Sequence, residues 1–294
     1  MALPAGTTGT EILRAENVER VVKGFALREY VFKQLVMIQS SSADLETYYQ
    51  ETAADISAGA TRTVEEVPRL AKFPYGEVVW TKKRGWHKKF AFEGQVSWED
   101  ALTNNIDVVA RTLLRIGRAV AKSVDAEIWD VLTEGRSVSN ITNESVTAGY
   151  EWDSATIANR DPIQNILNAK KLISEQDYNP DSNGYLLLSP KDYANLLGNA
   201  NIRNAGQFYT DDVTKNGRVG RLLGLTVLVS NNVTADYAAV VIAKECGTWK
   251  QVQPLTVKTI EDAGIKYVIR AWEIGSCQLT NPKAVCLIDN TQKT

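Results

Sequence analysis

The chain carries a single histidine, His87, which lies among the lysines and arginine of residues 82–89. Nucleophilic catalysis of the Ser-His-Asp or Cys-His kind needs the imidazole buried beside its nucleophile, whereas these neighbours predict a ring in contact with water. The glycines around Gly220 do not have GxGxxG spacing, and no GxxxxGKS or GxxxxGKT loop is present to hold a phosphate. The sequence therefore predicts neither a catalytic histidine nor a nucleotide site.

Carboxylates and thiols give no stronger sign of a metal centre or of an acid–base pair. Asp107 and Asp125, or Glu245 and Cys246, have no further ligand-type residues clustered with them, and isolated carboxylates on a helix are usually solvated. The three cysteines are odd in number and lack CxxC spacing, which is typical of buried thiols in a reducing compartment. We expect no enzyme, no metal and no cofactor, and the pattern favours a structural or binding role.

Composition and charge exclude several classes of protein. Of the 294 residues, 44% are hydrophobic and 23% are charged, which is typical of a globular chain rather than a disordered or fibrous one. The net charge of −2 gives no overall attraction to nucleic acid or to an anionic membrane. Apolar runs are far shorter than the ~20 residues of a membrane span, and residues 1–10 lack a signal-peptide pattern. We expect a protein made in the cytoplasm, with no membrane partner.

The stretch from Ser97 to Leu132 has the strongest periodicity in the chain. Its apolar residues recur every three or four positions, which places them on one face of an α-helix, and Ser97 is a good N-cap. At 1.5 Å per residue, one helix of this length would extend roughly 50 Å, more than most compact domains bury alone. A basic row on the same helix is either a solvated face or a contact surface for another chain. The row consists of Arg111, Arg115, Arg118 and Lys122.

Two segments before this helix are predicted to lie away from the core. Residues 1–15 are small and polar and predict a mobile arm, and apolar residues at helical spacing predict a helix over residues 16–38. A polar connection is predicted over residues 44–63. Most such helices pack on their own domain, but one separated by a long polar connection often packs on a neighbouring subunit. Its candidate contact residues are Phe25, Val31 and Leu35.

Residues 62–96 have the alternation of extended chain and predict a long hairpin with its turn at residues 72–77. A two-stranded ribbon is marginal in water by itself, so it should lie on a partner. Its basic residues, interleaved with aromatic ones, form either a platform for single-stranded nucleic acid or a ribbon that faces water or an acidic neighbouring subunit. The neutral overall charge favours the second interpretation. The candidate contact residues here are Lys72, Phe73, Tyr75, Trp80 and Trp86.

The remainder of the chain predicts a mixed helix and strand segment. Helices are predicted from Pro162 to about residue 177 and from Pro190 to residue 197, because each proline stands at a first helical position. Residues 135–155 are polar and predict one short hairpin, and residues 198–216 predict a surface loop. Strands are predicted at residues 185–188, 238–243, 256–260, 265–274 and 284–288, and residues 218–231 predict a glycine turn followed by an apolar strand.

This order of elements resembles the major capsid protein of tailed phages, of the Hong Kong 97 type. Residues 94–100, Gly-Gln-Val-Ser-Trp-Glu-Asp, are similar to the passage from ribbon to spine helix in that family. Residues 217–232 are similar to its turn and central axial strand, and residues 270–275 with 281–285 are similar to its closing strands. The resemblance covers nearly the whole chain and has no single invariant signature.

The resemblance implies an α+β, Hong Kong 97-like capsid fold with four parts. These are an N-terminal arm at residues 1–60, an E-loop hairpin at 61–97, a peripheral domain with the spine helix at 98–157 and 253–294, and an axial domain at 158–252. It also implies a structural major capsid protein of the virion. Such subunits self-assemble into hexamers and pentamers, which form an icosahedral shell around double-stranded DNA without sequence-specific binding.

The implied partners are other copies of the chain, a portal protein, and separate scaffolding or decoration proteins. Because the arm is too short for a scaffolding segment, either the scaffold is a separate protein or the sequence is the mature form. Some family members form an isopeptide cross-link from a lysine at the ribbon tip, which makes Lys72 a candidate without an identified partner. Within the same fold, the alternative is an encapsulin-type nanocompartment shell that packages a cargo enzyme. Outside it, the alternatives are a soluble enzyme of mixed helix and strand and a nucleic-acid-binding module.

Overall fold

The computed structural model describes residues 20–23, 30–51, 66–72, 81–103, 106–199 and 220–293. Within these ranges, residues 20–23 are helical and are followed by α1 (Trp98–Leu102), α2 (Ile106–Leu132), α3 (Pro162–Ser174), α4 (Pro180–Asn183) and α5 (Pro190–Gly198). The strands are β1 (Met37–Ser40), β2 (Leu45–Gln50), β3 (Thr81–Trp86), β4 (Lys88–Ser97), β5 (Thr142–Ser145), β6 (Gly184–Leu188), β7 (Arg221–Leu222), β8 (Leu225–Val229), β9 (Tyr237–Ile242), β10 (Gly247–Asp262), β11 (Lys266–Leu279) and β12 (Val285–Asp289).

A four-stranded sheet, in the order β1-β10-β11-β4, lies against the long helix. β10 and β11 form its central antiparallel hairpin, with register shifts on either side of Gln253. β4 pairs antiparallel with β11, and β1 joins the other edge parallel to β10. The buried face of α2 packs on β4 and β11, through residues that include Leu113, Ile116 and Val120. This face is the apolar stripe that the sequence predicts.

The second large sheet has six strands, in the order β5-β12-β9-β6-β8-β7. β12 lies between β5 and β9, and residues Val285 to Ile288 are completely buried, as expected for a central strand that is covered on both faces. β5 and β12 lie in the segments 98–157 and 253–294, which the family resemblance predicts to form the peripheral domain. β12 pairs with β9 of the segment 158–252, and β5 pairs with β12, so residues 253–294 contribute to both sheets.

The predicted long helix is interrupted near its start. Ser97 caps α1 as predicted, and its hydroxyl accepts a hydrogen bond from the backbone N–H of Asp100 at 3.1 Å. α1 ends at Thr103, whose backbone N–H and hydroxyl both bond to the carbonyl of Glu99. Thr and Asn are poor helix formers, and the sequence continues Thr-Asn-Asn here, so two helices replace the single one that was predicted.

The prediction of one helix over residues 16–38 is wrong for the residues that the structure describes at its end. Residues 31–36 form bends and turns, and Met37 to Ser40 form β1. Hydrogen bonds to the edge of β10 here outweigh the helical periodicity of the side chains. The predicted polar connection over residues 44–63 is also wrong, because Leu45 to Gln50 form β2.

The ribbon has a different partner strand from the one that the sequence predicts. β3 pairs antiparallel with β2, from Leu45 opposite Trp86 to Gln50 opposite Thr81. The described residues 66–72 contain no strand, and the rest of the predicted first strand and turn lies outside the described residues. β2 reads Leu-Glu-Thr-Tyr-Tyr-Gln, and its Thr and Tyr residues suit a strand, but this signal was hidden in a segment of polar composition.

The predicted elements of the second half are largely confirmed. α3 begins at Pro162 with Asp161 as its N-cap, and α5 begins at Pro190 with Ser189 as its N-cap. The glycine turn before β8 contains Gly224 at φ +85°, a backbone conformation that glycine adopts readily. The hairpin predicted within residues 135–155 is wrong, because β5 pairs in parallel with β12. The loop predicted at 198–216 lies almost entirely outside the described residues.

Candidate functional site

Asp125 fixes the segment before β1 to the long helix. Its carboxylate accepts hydrogen bonds from the backbone N–H groups of Val31, at 2.7 Å, and of Phe32, at 3.2 Å. The residue is 1% exposed. Burial raises the pKa of this carboxyl to about 6. The hydrogen bonds from the backbone N–H groups and the charge of Lys33 act in the opposite direction and lower the pKa, but burial has the larger effect.

Glu273, on β11, holds the same segment from the sheet side. It is completely buried and accepts hydrogen bonds from the Tyr30 hydroxyl at 2.6 Å, the Trp249 indole N–H at 3.2 Å and the Gln251 amide at 2.9 Å. It also forms an ion pair with Lys33. Burial, followed by the charge of Glu273, raises the pKa of Tyr30. The buried charge is therefore paired and fully hydrogen-bonded, the arrangement in which such a group is tolerated.

Leu35 shows how completely this segment belongs to the core. Its side chain is 0% exposed, and its carbonyl accepts hydrogen bonds from the backbone N–H of Lys244 and the thiol of Cys246. Leu35 is one of the predicted contacts with another subunit. Within this chain the residue is already enclosed by its own core, because the segment turns inward instead of continuing as an exposed helix. Val31, a second candidate, is half-buried.

The β2–β3 ribbon has one exposed basic and aromatic face. Residues directly opposite each other on paired strands point to the same side, so the pairs Tyr49–Lys82, Thr47–Arg84 and Leu45–Trp86 share one face. On this face Tyr49 is 58% exposed, Trp86 is 68% exposed, and Lys82 and Arg84 are exposed. We call Tyr49, Lys82, Arg84 and Trp86 the ribbon face. The opposite side includes Gln50, which is buried, and Tyr48, which is half-buried.

The base of the ribbon is tied to the four-stranded sheet. Glu46 accepts a hydrogen bond from the Gln278 amide at 3.1 Å and lies 3.7 Å from the Lys250 ammonium. His87 lies within 3.2 Å of the Ser276 hydroxyl and 3.5 Å of the Ser41 hydroxyl, and it is half-buried. The predicted solvated position of His87 is therefore wrong: the ring sits where the ribbon meets the sheet.

The basic row on α2 lies on the side opposite the core. Arg111, Arg115, Arg118 and Lys122 are all exposed, and among the described residues Arg111, Arg115 and Lys122 form no ion pair. At its Lys122 end the row borders a cleft of about 300 Å³ between α2 and the loop after β8. The Asn232 side chain holds this loop to the helix, donating a hydrogen bond to the Lys122 carbonyl at 3.1 Å.

The described residues contain no group of three or more His, Cys, Asp or Glu side chains placed to hold a metal ion. None of the helices in the described ranges combines the length and the apolar character that crossing a bilayer requires. The three thiols are buried, and burial raises the pKa of Cys246 and Cys286 to about 12 and that of Cys277 well above its ordinary value. The features that stand out in the described part of the chain are exposed surfaces.

A family model described as phage capsid protein matches residues 87–288, from His87 beside the ribbon to Ile288 in β12. The chain belongs to this phage capsid protein family. The match spans β4, the long helix, both long strands of the four-stranded sheet and nearly all of the six-stranded sheet. No curated protein matches the chain.

Solved structures share the fold of this phage capsid protein at low sequence identity. The capsid of cyanophage P-SCSP1u is 12% identical, with a TM-score of 0.65 and coverage of 88% of each chain. Mycobacterium phage Che8 is 16% identical, with a TM-score of 0.57 and coverage of 100% of this chain and 96% of the other. A virus-like particle from Pyrococcus furiosus is 12% identical, with a TM-score of 0.62 and coverage of 94% and 99%.

The family and the fold confirm the Hong Kong 97-type major capsid protein that the sequence resembles. The chain is a structural protein of a capsid shell, and it has the mixed helix and sheet fold of phage capsids. Of the ten predicted contact residues of this phage capsid protein, Lys72, Trp86, Arg111 and Arg115 are exposed. Phe25, Phe73, Tyr75 and Trp80 lie outside the described residues.

Sequence reasoning missed three residues that shape these surfaces. Tyr49 was hidden because its segment was interpreted as a polar connection, although the Thr-Tyr-Tyr run is a strand signal. Asp125 was interpreted as a solvated carboxylate, and Glu273 was noted only within a closing strand. A lone acidic residue on an otherwise apolar helix face or strand is the signal that could have identified both, since such a charge is buried only with partners.

Proposed function

We propose that this capsid protein assembles through hexamers and pentamers into an icosahedral shell around double-stranded DNA, as part of a virion made in a host cytoplasm. Portal protein and separate scaffolding or decoration proteins would complete the particle. Support comes from the capsid family and from neighbours such as the cyanophage P-SCSP1u capsid. We also propose that the four-part division holds with two changes. The E-loop ribbon begins at β2, and β5 and β12 belong with the axial sheet.

The exposed ribbon face carries this proposal. One side of the two-stranded sheet β2–β3 is covered by its own chain, where Gln50 is buried and Tyr48 is half-buried, and the ribbon face on the other side is left uncovered. Trp86 and Tyr49 are among the most exposed large apolar residues that the structure describes. A second copy of the chain would cover these rings in a shell. Each Å² of apolar surface that it buries contributes about 25 cal/mol, so many modest contacts stabilise a closed assembly.

The free end of the four-stranded sheet, around the turn between β10 and β11, carries exposed apolar side chains and carboxylates. Ile265, in the turn between β10 and β11, is 61% exposed, and Ile260 is 44% exposed. Glu261 and Asp262 beside them are exposed, as is Glu99 on α1, which follows the strand that pairs with β11. Lys266 lies opposite Asp262 at this end, and the carboxylates and exposed isoleucines beside it complement the cations and exposed aromatic rings of the ribbon face. We infer that the ribbon face of one subunit docks on this sheet end of the next.

Reversal of the charges on both surfaces tests the docking. Lys82→Glu with Arg84→Glu should abolish shells, and Glu261→Lys with Asp262→Lys should do the same, because each places like charges in contact. The four changes together should restore shells, since the pairs are again opposite. Electron microscopy and sedimentation of the purified proteins give the readout.

A matched control separates docking from a change in net charge. Lys171→Glu with Lys293→Glu alters the net charge as the ribbon change does, at exposed sites away from both surfaces, and shells should persist. The docking would be contradicted if shells still form when only the ribbon or only the sheet end is reversed. It would also be contradicted if the protein with all four changes folds but forms no shells. Particle contents decide between the two shell types: DNA supports a virion, and a cargo enzyme supports a nanocompartment.

A further inference from the structure

The basic row on α2 is a continuous strip. Arg111, Arg115, Arg118 and Lys122 follow at intervals of four, three and four residues. At about 100° per residue these spacings place the four side chains within an arc of roughly 60°, and 11 residues at 1.5 Å each give the strip a length of roughly 16 Å. We call these four residues the α2 strip.

Opposite charges are absent from the helix along this length. From Val108 to Val124 the sequence of α2 contains no Asp or Glu. The other side of the helix is buried in the core through Leu113, Ile116 and Val120, so the strip can only face outward from the subunit. Four cations that repel one another on one helix face are stabilised when an anionic surface covers them.

The cleft beside Lys122 extends the strip with neutral hydrogen-bond donors. It is lined by Arg118 and Lys122 on the helix and by Ser230, Asn231 and Asn232 on the loop after β8. Asp125 is the acidic residue of the lining, and its carboxylate already accepts the N–H groups of the segment before β1. Guanidinium, ammonium, amide and hydroxyl groups are the side chains that contact phosphate oxygens in protein–DNA complexes.

We propose that the α2 strip and its cleft bind the phosphate backbone of double-stranded DNA. The inference rests on the proposed function, because it assigns to one helix face the contact with the DNA that the shell would enclose. B-DNA carries one negative charge per ~1.7 Å of axis, so a strip of this length meets more phosphates than it has cations. The strip contacts the backbone and reads no base edges, so binding is independent of sequence.

Salt dependence of DNA binding by unassembled subunits tests the proposal. Binding of a fluorescent 30-base-pair duplex is followed by anisotropy between 50 and 200 mM salt. Four phosphate contacts predict a slope of log K against log salt of about −3.6, which is a loss of roughly 150-fold over this range. Arg111→Gln with Arg115→Gln should make the slope less negative by about 1.8, whereas Arg111→Lys with Arg115→Lys should keep it.

The ribbon provides the matched control. Lys82→Gln with Arg84→Gln removes the same charge from another exposed surface, and it should leave the slope unchanged while it weakens shell assembly. Equal losses of DNA binding from strip and ribbon variants would overturn the proposal, because binding would then follow net charge alone. Unchanged DNA binding by the variant Arg111→Gln with Arg115→Gln would overturn the proposal too. If that variant also forms no shells, the strip would be assigned to a contact between protein subunits.

Thermal unfolding of each variant confirms that the exposed substitutions leave the fold intact. The two proposals fail separately, because DNA binding is measured on subunits and assembly is measured on particles. Subunits that bind duplex through the strip, while the particles contain protein cargo, would contradict the enclosed DNA and keep the strip. DNA-filled shells whose subunits bind duplex equally well without Arg111 and Arg115 would contradict the strip and keep the shell.

Discussion

Replacement of Asp125 by Asn should remove a specific pH dependence from the stability of the subunit. Asp125 is buried on α2, where burial raises its pKa to about 6, whereas an aspartate in an unfolded chain titrates near 3.9. The folded chain therefore binds this proton more tightly than the unfolded chain does. The resulting stabilisation is fully present below pH 3.9 and is lost as the pH rises through 6.

The size of the effect follows from these two pKa values. On lowering the pH from 7 to 5, protonation of Asp125 in the folded state should raise the free energy of unfolding by about 1.4 kcal/mol. Asp125→Asn has no proton to gain at this position and lacks that increment. Other carboxylates titrate in both proteins, so the difference between the two proteins isolates Asp125.

Urea unfolding of unassembled wild-type and Asp125→Asn subunits at pH 7, 6 and 5 provides the measurement. The free-energy difference between the two proteins should move by about 1.4 kcal/mol in favour of the wild type as the pH falls from 7 to 5. A difference that stays constant with pH would refute the reasoning. It would mean that the N–H groups of Val31 and Phe32 hold the carboxylate ionised despite its burial.

Two further outcomes test the packing. Gly184→Ala should lower the free energy of unfolding by about 1–3 kcal/mol, because a Cβ there would lie 2.1 Å from the Pro180 carbonyl oxygen. Gly198→Ala is the control, since a Cβ at that position meets open space and should leave the stability unchanged. Equal stabilities of the two variants in urea would contradict the packing of β6. A thiol reagent at pH 8 should label the folded subunit far more slowly than the unfolded chain, because the three thiols are buried and burial raises the pKa of each. Rapid labelling of the folded protein would contradict this burial.

Elements governed by local rules could be predicted from the sequence. Ser97, Asp161 and Ser189 each cap a helix through the side-chain bond that their residue types predict. The apolar stripe of α2 and the buried strand β6 follow in the same way from periodicity and composition. In these cases the information lies within a few residues of the element.

Elements decided by distant partners could not be predicted. β1 has helical periodicity, but it adds to the edge of β10, more than 200 residues away. β3 pairs with β2 across the segment of residues 51–80, and no local signal specifies that pairing. The family resemblance supplied the capsid fold correctly, but it did not indicate that β12 lies between β5 and β9, because that pairing joins strands from distant parts of the chain.

The candidate site was predicted in part. The basic row on α2 and the exposed Trp86 follow from spacing and from alternation. The enclosure of Leu35 does not, because the arm segment is held by Asp125 and Glu273, which lie far away in sequence. A contact residue can be recognised from sequence only when its own chain leaves it uncovered, and distant partners decide that.

Sedimentation of the purified chain over a series of concentrations, with electron microscopy of the fastest fraction, tests most directly whether copies of the chain cover one another. We expect closed shells of uniform size, and slowly sedimenting subunits when the ribbon face carries Lys82→Glu and Arg84→Glu. A monomer that persists at every concentration, with Trp86 shielded by its own subunit, would contradict assembly through the ribbon.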